Sequence, residues 1–256
     1  MPKSFNKFLK MDDGFQPELI QNASLDGLLQ IPSIDKEAEI KIPKLLVPYS
    51  KLEYCTEGNK FGCFYEMDVN FIDAISNPSD EVVLNKLRTC AGVITPDCSV
   101  YINAPLCVQM MSIYRSRTIG AFFQSQGIYT VVNVRWGDDR TYTTKVLPEP
   151  IAFLGVPKKS IVSIGTYGAM RNKEVRQHFR NGLIAMLDYL EPQVVLVYGP
   201  MPDEVFGDLL NRTKFVRFND WTKCDMEDFS NGTTKWRRIR KYSQKRRVYQ
   251  RQIWLR

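Results

Sequence analysis

Residues 194–198 read VVLVY, five apolar residues in a row with no polar position to mark a solvent side, and residues 131–134 read VVNV. A strand with one wet face alternates apolar and polar side chains. One that is apolar throughout must be covered on both faces, which in practice means a parallel sheet flanked by helices. Four more short runs fit around these two, at residues 62–67, 92–95, 161–165 and 215–218. The VVNV strand extends over residues 129–134 on this reading.

Helical signals fall between the runs. Ser79 is a candidate N-cap for a helix to about Thr89, with Asp80 and Glu81 in its first turn. Pro105 suits a first-turn position and Gly127 a stop, which predicts a helix to about Ser125. Asn172 can cap a third helix whose apolar stripe is Val175, Phe179, Leu183, Met186, Leu187 and Leu190, ended by Glu191-Pro192. A short fourth helix follows Pro202. The order strand–helix–strand predicts an α/β fold with a mainly parallel sheet and helical crossovers, as an open sheet or an irregular barrel. Residues 137–160 are too irregular for a crossover helix and predict a long loop or a hairpin. Residues 1–50, rich in Pro, Asp and Lys, predict an extended N-terminal arm with at most one short helix, at residues 25–29. The expected organisation is this arm, a core domain over residues 51–225 and a tail over residues 226–256.

The tail is chemically unlike the rest. Residues 235–256 carry ten of the 35 Lys and Arg and no Asp or Glu, so removing that +10 from the formal +7 leaves residues 1–234 at −3. Trp236 and Trp254 are interleaved with Arg237, Arg238, Arg240, Lys241, Lys245, Arg246 and Arg247. Cations neutralise phosphates and aromatic faces stack on bases, so DNA or RNA is the first partner to consider. Docking on an acidic protein surface or on anionic lipid is the alternative.

With 256 residues and 44% hydrophobic content, the chain can bury roughly 70–75% of its unfolded surface without a staple. No apolar run approaches the ~20 residues of a membrane span. The first 19 residues have lysines but neither the apolar stretch nor the cleavage site of a secretory signal, so the expected location is the cytoplasm, with no membrane contact. The six cysteines form no C-x-x-C pair and read as buried thiols rather than a zinc site.

In parallel α/β folds ligands bind beyond the carboxyl ends of the strands, which directs attention to the residues there. Asp68, Asp97 and Asp138 (or Asp139) follow three of the strands; such carboxylates can hold Mg²⁺ for phosphoryl or phosphodiester chemistry, cap helices, or act as an acid–base pair on a glycosidic bond. Arg135 beside Trp136 can clamp a phosphate and stack a base. Ser99, Asn133, Thr166 and Tyr198 complete the expected ligand-binding set, and Gly165-Thr166-Tyr167-Gly168 before Asn172 can cradle an anion. Ser99 has no evident base, since the one histidine, His178, falls beside the apolar stripe of a helix, which argues against a Ser-His-Asp triad.

The stretches ITPDCSVY, VVNVRWGDDRTY, IVSIGTYG and YLEPQVVLVYG resemble a family of bacteria, archaea and phages catalogued only as a domain of unknown function. The resemblance covers about residues 60–210 and rests on PD-x-S, N-x-RWGD and P-x-x-x-x-VYG motifs. The matching positions are Asp97, Ser99, Asn133, Arg135, Trp136, Gly137, Asp138, Thr166, Gly168, Tyr198 and Gly199. Cys98 stands where the family usually has an aromatic. The resemblance implies a phage or mobile-element context, hence a host cytoplasm, and brings no reaction with it. The expectation is a protein that binds nucleic acid through its tail and a nucleotide or phosphate ligand at the strand ends. If it is an enzyme, it is a metal-dependent hydrolase of nucleic acid or nucleotide. The alternative is a non-catalytic inhibitor or accessory factor that docks on a host protein or ribonucleoprotein.

Overall fold

A computed structural model describes residues 15–221. The chain divides into two units at Phe218, and the fold below is that of the first. Seven parallel strands follow one another across a single sheet in chain order: β3 (Leu45–Pro48), β4 (Lys60–Cys63), β5 (Gly92–Ile94), β6 (Thr130–Asn133), β7 (Ile161–Gly165), β8 (Val194–Tyr198) and β9 (Lys214–Phe218). Ahead of them β1 (Leu25–Asp26) and β2 (Ile31–Pro32) form a small antiparallel hairpin. The architecture is α/β, as the consecutive apolar runs predict.

Period-two geometry explains why VVLVY carries no polar residue. Val194, Leu196 and Tyr198 face one cluster with Leu46, Phe61, Cys63, Ile94, Val131, Ile161 and Phe218, so the strands from β3 to β9 share one core on the inner side of a curled sheet. Val195 and Val197 face the other way, joining Val132, Val134, Val162 and Ile164 against helices. At about 1.5–3 kcal/mol per fully buried Val or Leu, both faces contribute. No hydrogen bonds join β3 to β9, so the curled sheet stays open and keeps two edges.

The crossover elements are α1 (Ile72–Ser76), α2 (Glu81–Leu87), α3 (Leu106–Ser125), α4 (Asp139–Tyr142), α5 (Lys173–Leu190) and α6 (Asp203–Phe206). Asn172 caps α5, its side chain accepting from the Val175 N–H at 2.9 Å, and Glu191 ends the helix at φ +47°. Pro105 opens α3, and Gly127 follows it at φ +75°. Asp80 rather than Ser79 caps α2. Residues 137–160 hold α4 and a 3-10 turn at Ile151–Phe153 and no hairpin.

Further expectations are corrected. Residues 25–29 begin a hairpin and not a helix: Gly27 sits at φ +66°, a conformation that interrupts a helix, and Leu25 and Leu28 are exposed rather than packed on one face. Cys107 is exposed on α3, whereas Cys63 and Cys98 are buried and Cys55 and Cys90 half-buried. The edge strand β3 lies in the stretch read as an arm. No helix among the described residues is long and apolar enough to cross a membrane.

Candidate functional site

The carboxyl ends of β4 to β8 meet in one hydrogen-bonded group. Asn133 ends β6 and is 1% exposed, so each of its polar atoms needs a partner. Its backbone N–H donates to Thr95 Oγ1 at 2.9 Å, its Nδ2 donates to Asp97 Oδ1 at 2.8 Å, and its Oδ1 accepts the Tyr65 hydroxyl at 3.0 Å. The Tyr65 oxygen also lies 2.7 Å from Ser163 Oγ, and its ring stacks on Tyr198 with centroids 5.0 Å apart. Burial, reinforced by the negative charge of Asp97, raises the Tyr65 pKa and keeps the phenol protonated. Arg135 Nη1 donates to both Asp97 oxygens, at 3.1 and 2.9 Å. Asp97 is thus held from two sides, and it in turn orients Arg135.

Asp68 stands on the exposed 3-10 turn Asp68–Asn70, within electrostatic reach of this group. Desolvation, then the charge of Asp97, raises its pKa, while Arg135 opposes the shift. Asp138 does not join the pair. Its Oδ1 caps α4 by accepting the Arg140 backbone N–H at 3.1 Å, and Arg140 Nε and Nη2 donate to its two oxygens at 2.8 and 2.7 Å. Buried Gln109 donates to Oδ2 at 2.8 Å. Among the described residues no group of three or more His, Cys, Asp or Glu side chains converges in a way that could hold a metal ion.

The Arg140 hydrogen bonds hold the Asp138 pKa down to about 2, against an ordinary 3.8. An acid depressed in the folded state contributes stability that is present above the unfolded value and is lost as pH falls toward the folded one. Urea midpoints measured from pH 5 to pH 2 should therefore drop more steeply for the native chain than for Asp138→Asn. Parallel curves would show that the ion pair adds nothing to acid stability.

Beside this group opens a cleft of about 400 Å³. Three segments line it: residues 100–103 after β5, residues 134–137 after β6, and residues from Gly165 to Phe179, through the first turns of α5. Val100, Ile102, Val134, Val175 and Phe179 give apolar walls, and Arg135, Arg171 and His178 give polar groups. The Arg135 side chain is 33% exposed, Arg171 is exposed and His178 half-buried.

The expected ligand-binding residues separate on this geometry. Arg135 and Trp136 line the cleft. Asn133 acts one step away, through Asp97. Trp136 is only 8% exposed, its ring 5.0 Å from that of Phe179 and packed over Gly182, so it forms part of the floor. Thr166 is fully buried, its N–H donating to Tyr198 O at 3.0 Å, and Tyr198 is 2% exposed under Tyr65; neither lines the cleft, nor does half-buried Ser99. The expected nucleic-acid-binding residues, Trp236 to Trp254, lie outside the described residues. Tyr65, Tyr101, Arg171 and His178 were not singled out for the site by sequence reasoning. The position of Arg171, one residue before a helix cap and after the Gly168 turn, was the signal available for it.

Two phage proteins resemble this chain. A "Gene 1 protein" of Mycobacterium phage L5 is 33% identical over 138 residues, covering 54% of this chain and 56% of the relative. Its counterpart in Mycobacterium phage D29 is 31% identical over 136 residues, covering 53% and 47%. The chain thus spans about half the length of the curated relatives it matches. No solved structure matches it. A family model matches residues 23–219, taking in the hairpin and β3 as well as the strand-end motifs. By that match over most of its length, the chain belongs to the family described as Domain of unknown function (DUF4417).

Proposed function

We propose that this protein binds a phosphate-bearing ligand in the strand-end cleft through Arg135 and Arg171, and nucleic acid through the basic residues of 235–256. The observation that carries the cleft reading is the placement of two arginines from separate segments on one partly apolar cavity, at the carboxyl edge of a parallel sheet. Asp97 engages Arg135 through Nη1 alone, which restrains the side chain and leaves Nε and Nη2 for a bidentate anion contact. Of the three carboxylates considered for Mg²⁺, Asp138 is engaged by Arg140 and Asp97 by Asn133 and Arg135, which leaves Asp68 as the one not so held.

Titration of the full chain with inorganic phosphate, by calorimetry or NMR shifts, tests the cleft. Arg135→Lys should weaken binding about ten-fold or more despite keeping its charge, because lysine lacks the planar fork. Unchanged affinity in a folded variant would overturn the clamp. For the tail, replacing the basic residues of 235–256 by glutamine should flatten the salt dependence of nucleic-acid binding, by about 0.7–0.9 log units per lost phosphate contact.

A further inference from the structure

Resting on the phosphate reading of the cleft, we infer that its ligand is a nucleoside phosphate whose base lies against Tyr101. Tyr101 belongs to the cleft lining and is 67% exposed, whereas the other lining aromatics, Trp136 and Phe179, are buried and packed on each other. A large aromatic that stays in water on a cavity lining offers a π-face to a flat partner. Its segment, residues 100–103, faces a lining that differs in chemistry. Arg171 and His178 belong to the segment that leads into α5, and Arg135 to the segment after β6, so the two arginines come from two segments and the exposed ring from the third.

A ligand that uses all three needs an anionic end, a flat π-face and an uncharged middle that tolerates Val100, Val134 and Val175. A sugar phosphate lacks the flat face, and inorganic phosphate leaves most of the volume unfilled. At about 400 Å³ the cavity falls within the ~300–1,000 Å³ typical of small-molecule sites. Asn103, exposed on the same segment as Tyr101, supplies an amide with both donors and an acceptor for a base edge.

The test compares inorganic phosphate, ribose 5-phosphate, AMP and UMP against the full-length chain, Tyr101→Ala and Tyr101→Phe. AMP or UMP should bind the native chain about ten-fold or more tighter than ribose 5-phosphate, the increment expected of one base stacked on an aromatic ring. Tyr101→Ala should abolish that increment and leave ribose 5-phosphate binding unchanged, while Tyr101→Phe keeps it. Equal binding of nucleotide and ribose 5-phosphate by the native chain, or a preference that survives Tyr101→Ala, overturns the inference and leaves the phosphate cleft standing. Failure of all four compounds to bind overturns both readings together.

Discussion

Arg117→Met should destabilise the protein by about 3–5 kcal/mol, a large part of the ~5–15 kcal/mol that holds a domain folded. Arg117 lies on α3 and is 1% exposed. Its Nε donates to Leu154 O at 3.1 Å, its Nη1 to Asn133 O at 3.1 Å and its Nη2 to Ala152 O at 3.0 Å. All three acceptors are carbonyls, so the side chain pins the 3-10 turn Ile151–Phe153 to the end of β6. Burial pushes the guanidinium pKa down to about 9, which leaves it a cation at neutral pH. Methionine fills much of the stem but orphans three buried acceptors, at roughly 1–3 kcal/mol each before relaxation. Arg117→Lys should fall between, since an ammonium cannot reach three divergent carbonyls with the same geometry. Urea denaturation measures the loss, and a cost below about 1 kcal/mol for Arg117→Met would show that the turn finds other donors. The effect should reach the cleft, because the Asn133 carbonyl that Arg117 holds belongs to the residue that positions Asp97.

What the sequence made legible follows the range of the interactions involved. Strands buried on both faces announce themselves through unbroken Val and Leu, and the caps of α3 and α5 are local, so these elements read correctly. β3 does not, because LLVP is short, sits in a Pro-rich stretch and ends in Pro48. A proline is tolerated there only because the strand is an edge, and edge status is a fact of topology. The site divides in the same way. Chain-order topology brings the residues after each strand to one margin of the sheet, so the sequence points to the right margin and to Arg135. It does not tell which aspartate has partners. Asp138 has a local one two residues on, Arg140, and a distant one in Gln109, and together they commit it to α4. Thr166 follows β7 and Tyr198 ends β8, but both are buried, and Tyr65 stacks on Tyr198.

Trp136 shows the limit most clearly, and it yields the second large expected effect. A tryptophan after an arginine at a strand end reads as a stacking surface; what buries it is a glycine 46 residues later in the chain. A Cβ at Gly182 would lie 2.1 Å from the Trp136 indole nitrogen and within 2.5 Å of two ring carbons, closer than any real contact. In an ordinary helix interior Gly→Ala stabilises by roughly 0.5–1 kcal/mol. Here Gly182→Ala should instead cost about 1–3 kcal/mol, because the methyl must displace a rigid ring already packed against Phe179. Gly182→Val should cost more. The sign is the test, since a neutral or stabilising Gly182→Ala would mean that the indole moves freely. Combining it with Trp136→Leu should recover much of the loss, as a coupling term in a double-mutant cycle. Trp136 also sits between Arg135 and Gly137 on the cleft floor, so a displaced indole should weaken phosphate binding in the single variant. If stability falls as expected but phosphate binding does not change, the floor is structural support and the anion is held by Arg135 and Arg171 without it.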